Sequence, residues 1–147
     1  MSYRQILVPV DGSSTSISAV KKAAQMATVF NSQLLLISVI VEDPFTDSDF
    51  YSSSAIMHEY FALAKKNAQD ALLEAQKAAA AEGVQAATQI IKGVVSAETI
   101  TETAKQHQAD IIVMGSHGRK GFQKMLLGSF AQDVLANTEL PVLIVKA

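Results

Sequence analysis

The sequence predicts an α/β fold: a five-stranded parallel sheet with helices on both faces. Three observations carry that expectation. Short apolar runs alternate with segments whose apolar residues recur every three or four positions. Most of these runs lack the polar–apolar alternation of a sheet with one wet face, as strands covered on both sides do. Polar and glycine residues collect just after the runs, at what would be the carboxyl edge of the sheet.

Ile6-Leu7-Val8-Pro9-Val10 is the first apolar run, closed by Asp11-Gly12, and reads as a buried strand. From Ser13 the period changes. Ile17, Val20, Ala24 and Ala27 share one helical face, and Ser13 or Ser14 can cap its free N–H groups. Leu34 to Val41 is the second strand. A long helical stripe follows through Phe61, Ala64, Ala68, Leu72, Ala75 and Ala79, with Gly83 placed as its stop. The alanine-rich stretch Ala78–Ala81 belongs to this helix and is good helix material. Val84 to Ile91 alternates in part, as a less buried third strand would. Ser96 caps a shorter helix carrying Ala97, Ile100 and Ala104. Asp110 to Met114 is the fourth strand and Val142 to Val145 the fifth. Between them a last helix turns Ala131, Val134 and Leu135 to one side. The expected strand order is 3-2-1-4-5.

The chain of 147 residues suits one domain over its whole length, with no internal repeat and no shift of composition. Hydrophobic residues make up 49% and charged residues 18%, a globular balance. A net charge of −2 lacks the basic excess of a nucleic-acid binder, so no nucleic-acid partner is expected. The absence of cysteine excludes disulfides, thiolate metal sites and a cysteine nucleophile. Leu34–Val41 is too short to span a bilayer, and no signal-peptide core precedes Asp11-Gly12. A cytoplasmic protein without direct membrane insertion is the expectation.

Pro44 to Met57 breaks the rhythm. Asp43, Asp47 and Asp49 lie in or beside it but lack the glycine and terminal glutamate of a calcium loop. A surface connection is the plain reading and a lid over a ligand the sharper one.

The segment after strand four is the most informative. Gly115-Ser116-His117-Gly118 is followed, nine residues later, by Gly128-Ser129. Glycines permit positive φ and close backbone approach, so successive N–H groups can converge on an anion. Gly128-Ser129 opens the last helix, whose N-terminus also favours phosphate. One helix terminus contributes only about 0.3–1 kcal/mol per charge. Useful affinity therefore needs several such contacts, and Arg119, Lys120 and Lys124 lie close by in sequence. Any single glycine here could serve only a tight turn; the whole spacing points to phosphate. The segment matches neither a P-loop nor the dinucleotide fingerprint.

Val8-Pro9-Val10-Asp11-Gly12-Ser13, Ile112-Val113-Met114-Gly115-Ser116-His117-Gly118 and Leu140-Pro141-Val142-Leu143-Ile144-Val145 together resemble the universal stress protein family. In that family Gly-x2-Gly-x9-Gly-Ser/Thr marks the ATP-binding branch, and Gly115, Gly118, Gly128 and Ser129 match it. The resemblance implies a Rossmann-like fold of the adenine nucleotide hydrolase-like group, with ATP as ligand together with Mg²⁺. It implies that Pro9, Val10 and Asp11 line the adenosine side, with Asp11 near the ribose or a phosphate-bound metal. Val39 would meet adenine through its backbone, and Met114 would flank the base or ribose. Gly115, Ser116, His117, Gly118, Arg119 and Lys120 would hold the phosphates from one side, and Gly128, Ser129 and Phe130 from the other.

His117 reads equally as a ligand contact or an exposed turn residue, whereas His58 and His107 fall on helical surfaces. Asp11 could be a general base, but no catalytic constellation assembles around it. The expected function is therefore ATP-dependent regulation in stress adaptation, through a partner such as a transporter or signalling protein. A slow ATPase or phosphotransferase and a nucleotide-free interaction module are the rivals. An uncovered fifth strand at the sheet edge invites a homodimer through Pro141–Ala147. Gly115→Ala or Gly128→Ala is expected to lose nucleotide while remaining folded.

Overall fold

A computed structural model describes residues 3–41, 55–117 and 127–146. The elements run β1 (Gln5–Pro9), α1 (Ser14–Phe30), β2 (Gln33–Ile40), α2 (Ala55–Ala81), β3 (Ala87–Lys92), α3 (Ala97–Gln106), β4 (Ile111–Gly115), α4 (Ser129–Asn137) and β5 (Val142–Val145). The five strands form one parallel sheet in the order β3-β2-β1-β4-β5, as the connectivity predicts.

Alternation along the strands divides the interior into two layers. Ile6, Val8, Val10, Leu34, Leu36, Ile111 and Val113 point to one face and pack against α1 and α2. Leu7, Leu35, Ile37, Ile112 and Met114 point to the other and pack against α3 and α4. This is why β1, β2 and β4 read as continuous apolar runs: both neighbours of every core residue are also buried.

Several expectations shift for identifiable reasons. β3 begins at Ala87 rather than Val84, because the preceding residues finish α2. Gly83 (φ +83°) donates to the Ala80 carbonyl at 2.9 Å and Val84 to the Ala79 carbonyl at 3.0 Å. Val84 then packs on the first layer, and Ala86 is buried in it. Only the second half of α2 is buried, from Ala68 onward, with Phe61 and Ala64 half-covered. Leu135 is exposed while Ala131 and Val134 are buried. Asp110 precedes β4 rather than opening it. Its carboxylate accepts from the N–H groups of Arg4 at 2.7 Å and Gln5 at 2.9 Å, joining the starts of β1 and β4. Ala55–Met57 belongs to α2, and the rest of the proposed lid, Pro44–Ser54, lies outside the described residues.

Candidate functional site

Strand order reverses between β1 and β4, the position where open parallel sheets leave a crevice beyond their carboxyl ends. Pairing registers place the predicted residues along this edge. Pro9 is opposite Ile37, so Val39 lies two positions further along β2, level with Asp11. Leu7 is opposite Ile112, which brings Pro9 level with Met114. Gly115 closes β4 and Gly128 caps α4. The carboxyl edge thus gathers Pro9, Val10, Asp11, Val39, Met114, Gly115, Ser116, His117, Gly128, Ser129 and Phe130. Gly118, Arg119, Lys120 and Lys124 lie outside the described residues.

On the β1 side, Asp11 is exposed and its Oδ1 accepts from the Ser13 N–H at 2.8 Å. Gly12 takes φ +83°, which lets the chain turn sharply from β1 into α1. Ser13, not Ser14, is the N-cap, its hydroxyl accepting from the Ser16 N–H at 3.2 Å. Val10 is committed to the fold. Its side chain is buried in the α1–α2 layer and its N–H donates to the Ile37 carbonyl at 2.7 Å.

On the β4 side, several groups expected to face a phosphate are engaged elsewhere. The Ser116 N–H donates to the Val145 carbonyl at 2.9 Å, and the Gly128 N–H donates to the Ser116 carbonyl at 2.8 Å. The Ser116 side chain is buried and its hydroxyl pairs with His117 Nδ1 at 3.1 Å. Met114 is buried in the α3–α4 layer, with Val39 and Phe130 packed against the same layer. The N–H groups of Ser129 and Phe130, in the first turn of α4, have no acceptor among the described residues.

The two described glycines of the motif serve closeness rather than unusual backbone angles; neither has positive φ. A Cβ on Gly115 would stand 2.9 Å from both Cβ and Oγ1 of Thr15. One on Gly128 would stand 2.7 Å from the Ser116 carbonyl oxygen. The expectation that alanine at these positions removes ligand and spares the structure is therefore corrected. Each alanine would press on α1 or on the Ser116 backbone before any ligand is involved.

His117 is half-buried rather than an exposed turn residue. Its Nε2 is buried and has no hydrogen-bond partner among the described residues. Its Cδ2 lies 3.5 Å from where a Gly128 Cβ would project, so the ring sits beside the start of α4. A buried polar atom left in this state is one that ligand or water satisfies. Sequence reasoning passed over Thr15, the second residue of α1. It is buried, and its hydroxyl donates to the His117 carbonyl. Nothing in the run Ser13-Ser14-Thr15-Ser16 distinguishes which hydroxyl meets the β4 loop, so only tertiary packing identifies it.

Among the described residues no three His, Asp or Glu side chains cluster as metal ligands. Mg²⁺ bound with a nucleotide needs only one or two carboxylates beside the phosphates, and exposed Asp11 is of that kind. A separate open cleft lies at the amino edge, lined by residues including Gln5, Asn31, Gln33, Gly83 and Gln85. It has no charged lining residue and sits where α1 and α2 end. Carbonyl-bearing helix C-termini repel phosphate, so the carboxyl edge is the better anion site.

Fold and site together define a doubly wound α/β protein whose crevice brings two helix N-termini, those of α1 and α4, to the switch point. Comparison with known proteins narrows this class. The profile of the universal stress protein family matches residues 2–146, and the chain belongs to that family. Universal stress protein MJ0531 of Methanocaldococcus jannaschii is 38% identical, over 98% of this chain and 82% of its own. The solved structure of universal stress protein UspA from Lactobacillus plantarum superposes with a TM-score of 0.82 at 26% identity, covering 99% of both chains. A universal stress protein crystallised in complex with cAMP has a TM-score of 0.69 at 25% identity, covering 99% of this chain and 98% of its own. Among the described residues, no helix is long and apolar enough to cross a membrane.

Proposed function

We propose that the protein is a cytoplasmic, ATP-binding regulator, one nucleotide-binding domain over residues 1–147, acting in stress adaptation through a partner such as a transporter or signalling protein. The observation that carries the nucleotide reading is the pair of unsatisfied groups at the mouth of α4. The buried His117 Nε2 and the first-turn N–H groups of Ser129 and Phe130 offer donors there. The family's complex with cAMP supports an adenine nucleotide as the occupant. In this reading Pro9, Val39 and Met114 border the adenosine, Val39 through its backbone. His117, Ser129 and Phe130 meet the phosphates, together with Gly118, Arg119 and Lys120 of the matching motif. Val10, Gly115, Ser116 and Gly128 shape the site through packing and backbone bonds.

Asp11 is the proposed Mg²⁺ ligand, in company with phosphate oxygens. Asp11→Asn should leave ATP bound but make its affinity almost insensitive to EDTA, as read by calorimetry. An undiminished Mg²⁺ effect in that variant would remove Asp11 from this role.

The direct test is to denature freshly purified protein and identify released nucleotide, with equilibrium dialysis against ATP as companion. Release of an adenine nucleotide, or a Kd tighter than about 1 mM (about −4 kcal/mol), supports the proposal. Neither release nor binding would favour the nucleotide-free interaction module. Phosphate release near zero in the bound state supports regulation; steady turnover lost in Asp11→Ala would favour the slow ATPase.

A further inference from the structure

Thr15 ties the first turn of α1 to the loop leaving β4. Its hydroxyl donates to the His117 carbonyl, and its only hydrogen is thereby used. The 3.2 Å contact between Thr15 Oγ1 and Ser13 Oγ must then have Ser13 as donor. Ser13 Oγ in turn accepts from the Ser16 N–H. A chain of bonds therefore runs from the α1 backbone through Ser13 and Thr15 to the peptide unit that begins at His117. Gly115 packs so closely on Thr15 that a methyl group would not fit between them, which keeps the hydroxyl in range.

The consequence is electrostatic. A peptide carbonyl carries partial negative charge, and one turned toward a phosphate would repel it. Holding the His117 carbonyl against α1 directs that oxygen away from the neighbouring crevice. It also fixes the plane of the whole peptide unit, because the amide is rigid. We propose that Thr15 is a positioning residue for phosphate: its hydroxyl locks the His117 peptide in the one orientation that leaves the crevice free of carbonyl oxygen. The role rests on the nucleotide reading given above and concerns only the phosphate end of that site.

Thr15→Val keeps the side-chain shape and removes the hydroxyl; Thr15→Ser keeps the hydroxyl. Calorimetric titration of wild type and both variants with ATP and with adenosine separates the possibilities. The expected result is roughly tenfold weaker ATP binding by Thr15→Val, the size of one hydrogen bond, with adenosine affinity unchanged and Thr15→Ser close to wild type. Equal loss for ATP and adenosine, or no loss for either, overturns the proposal, since a general loosening of the fold would not single out phosphate. Should the valine crowd Gly115 and prevent folding, Thr15→Ala makes the same comparison. Wild type that binds neither ligand overturns the nucleotide reading itself; equal ATP affinity in wild type and Thr15→Val overturns only the role of Thr15.

Discussion

At the carboxyl edge of the sheet, individual atoms are placed to within the width of a methyl group. Gly115 meets Thr15 where a Cβ would come within 2.9 Å of its Cβ and Oγ1 and 3.0 Å of its carbonyl carbon. Backbone on the receiving side cannot swing away as a flexible side chain would. Gly115→Ala should therefore lower stability by about 1–3 kcal/mol, the usual cost of overpacking. Urea denaturation of the ligand-free protein would read it, and an unchanged midpoint would show that α1 yields more easily than its packing implies. The glycine spacing marks this residue in the sequence. Its physical reason, a close approach to a particular threonine, is not visible there, because 100 positions separate the two.

Elements carry their own signals unevenly. α1 announces its start through Asp11-Gly12-Ser13, and each member acts locally. Asp11 accepts from the Ser13 N–H, Gly12 makes the left-handed turn, and Ser13 is the N-cap. Ser13→Ala should cost about 1 kcal/mol, within the usual range for a lost N-cap. A shift in the urea midpoint with unchanged slope would confirm it, and a loss below a few tenths would mean that another group takes over the cap. The end of α2 and the start of β3 are less legible. Val84 and Ala86 alternate as a strand would, yet Val84 serves the turn after Gly83 and the core beside it. Apolar residues at spacing two satisfy either demand, and only the pairing of Leu35 with Ala87 shows where the ladder begins.

For the whole molecule, the edge strand is the feature with the widest consequence. The carbonyls of Pro141 and Val145 bond β4 and its continuation, so alternate residues Val142 and Ile144 turn their backbone groups outward. A homodimer through Pro141–Lys146 would use that free edge. Sedimentation at micromolar concentration should then show dimers. Ile144→Pro, which lacks an outward N–H, should shift the protein to monomer while keeping its helical circular dichroism. A wild-type monomer at that concentration would exclude this interface. Ser116 gives the edge a direct connection to the site, because its N–H bonds β5 and its carbonyl bonds the cap of α4. If both proposals hold, ATP should change the dimer dissociation constant, and by linkage dimerisation should change ATP affinity by the same factor.

The succession of elements, the parallel sheet and the edge at which chemistry collects are all legible in the order of residues. Those properties rest on periodicity and on turn residues, which act over a few neighbours along the chain. The motif glycines and Asp11 stand out in the same way, because their residue types are informative without partners. How the candidate groups are used depends instead on folding. Ser116 and Gly128 commit their N–H groups to Val145 and Ser116, Val10 is committed to the core, and His117 keeps a buried nitrogen without a described partner. Thr15 enters the site only through the fold, which sets its hydroxyl against a carbonyl 102 residues away. Hydrogen bonds and steric contacts between such distant segments depend on where the sheet puts them, and that information is not carried by any local pattern of residues.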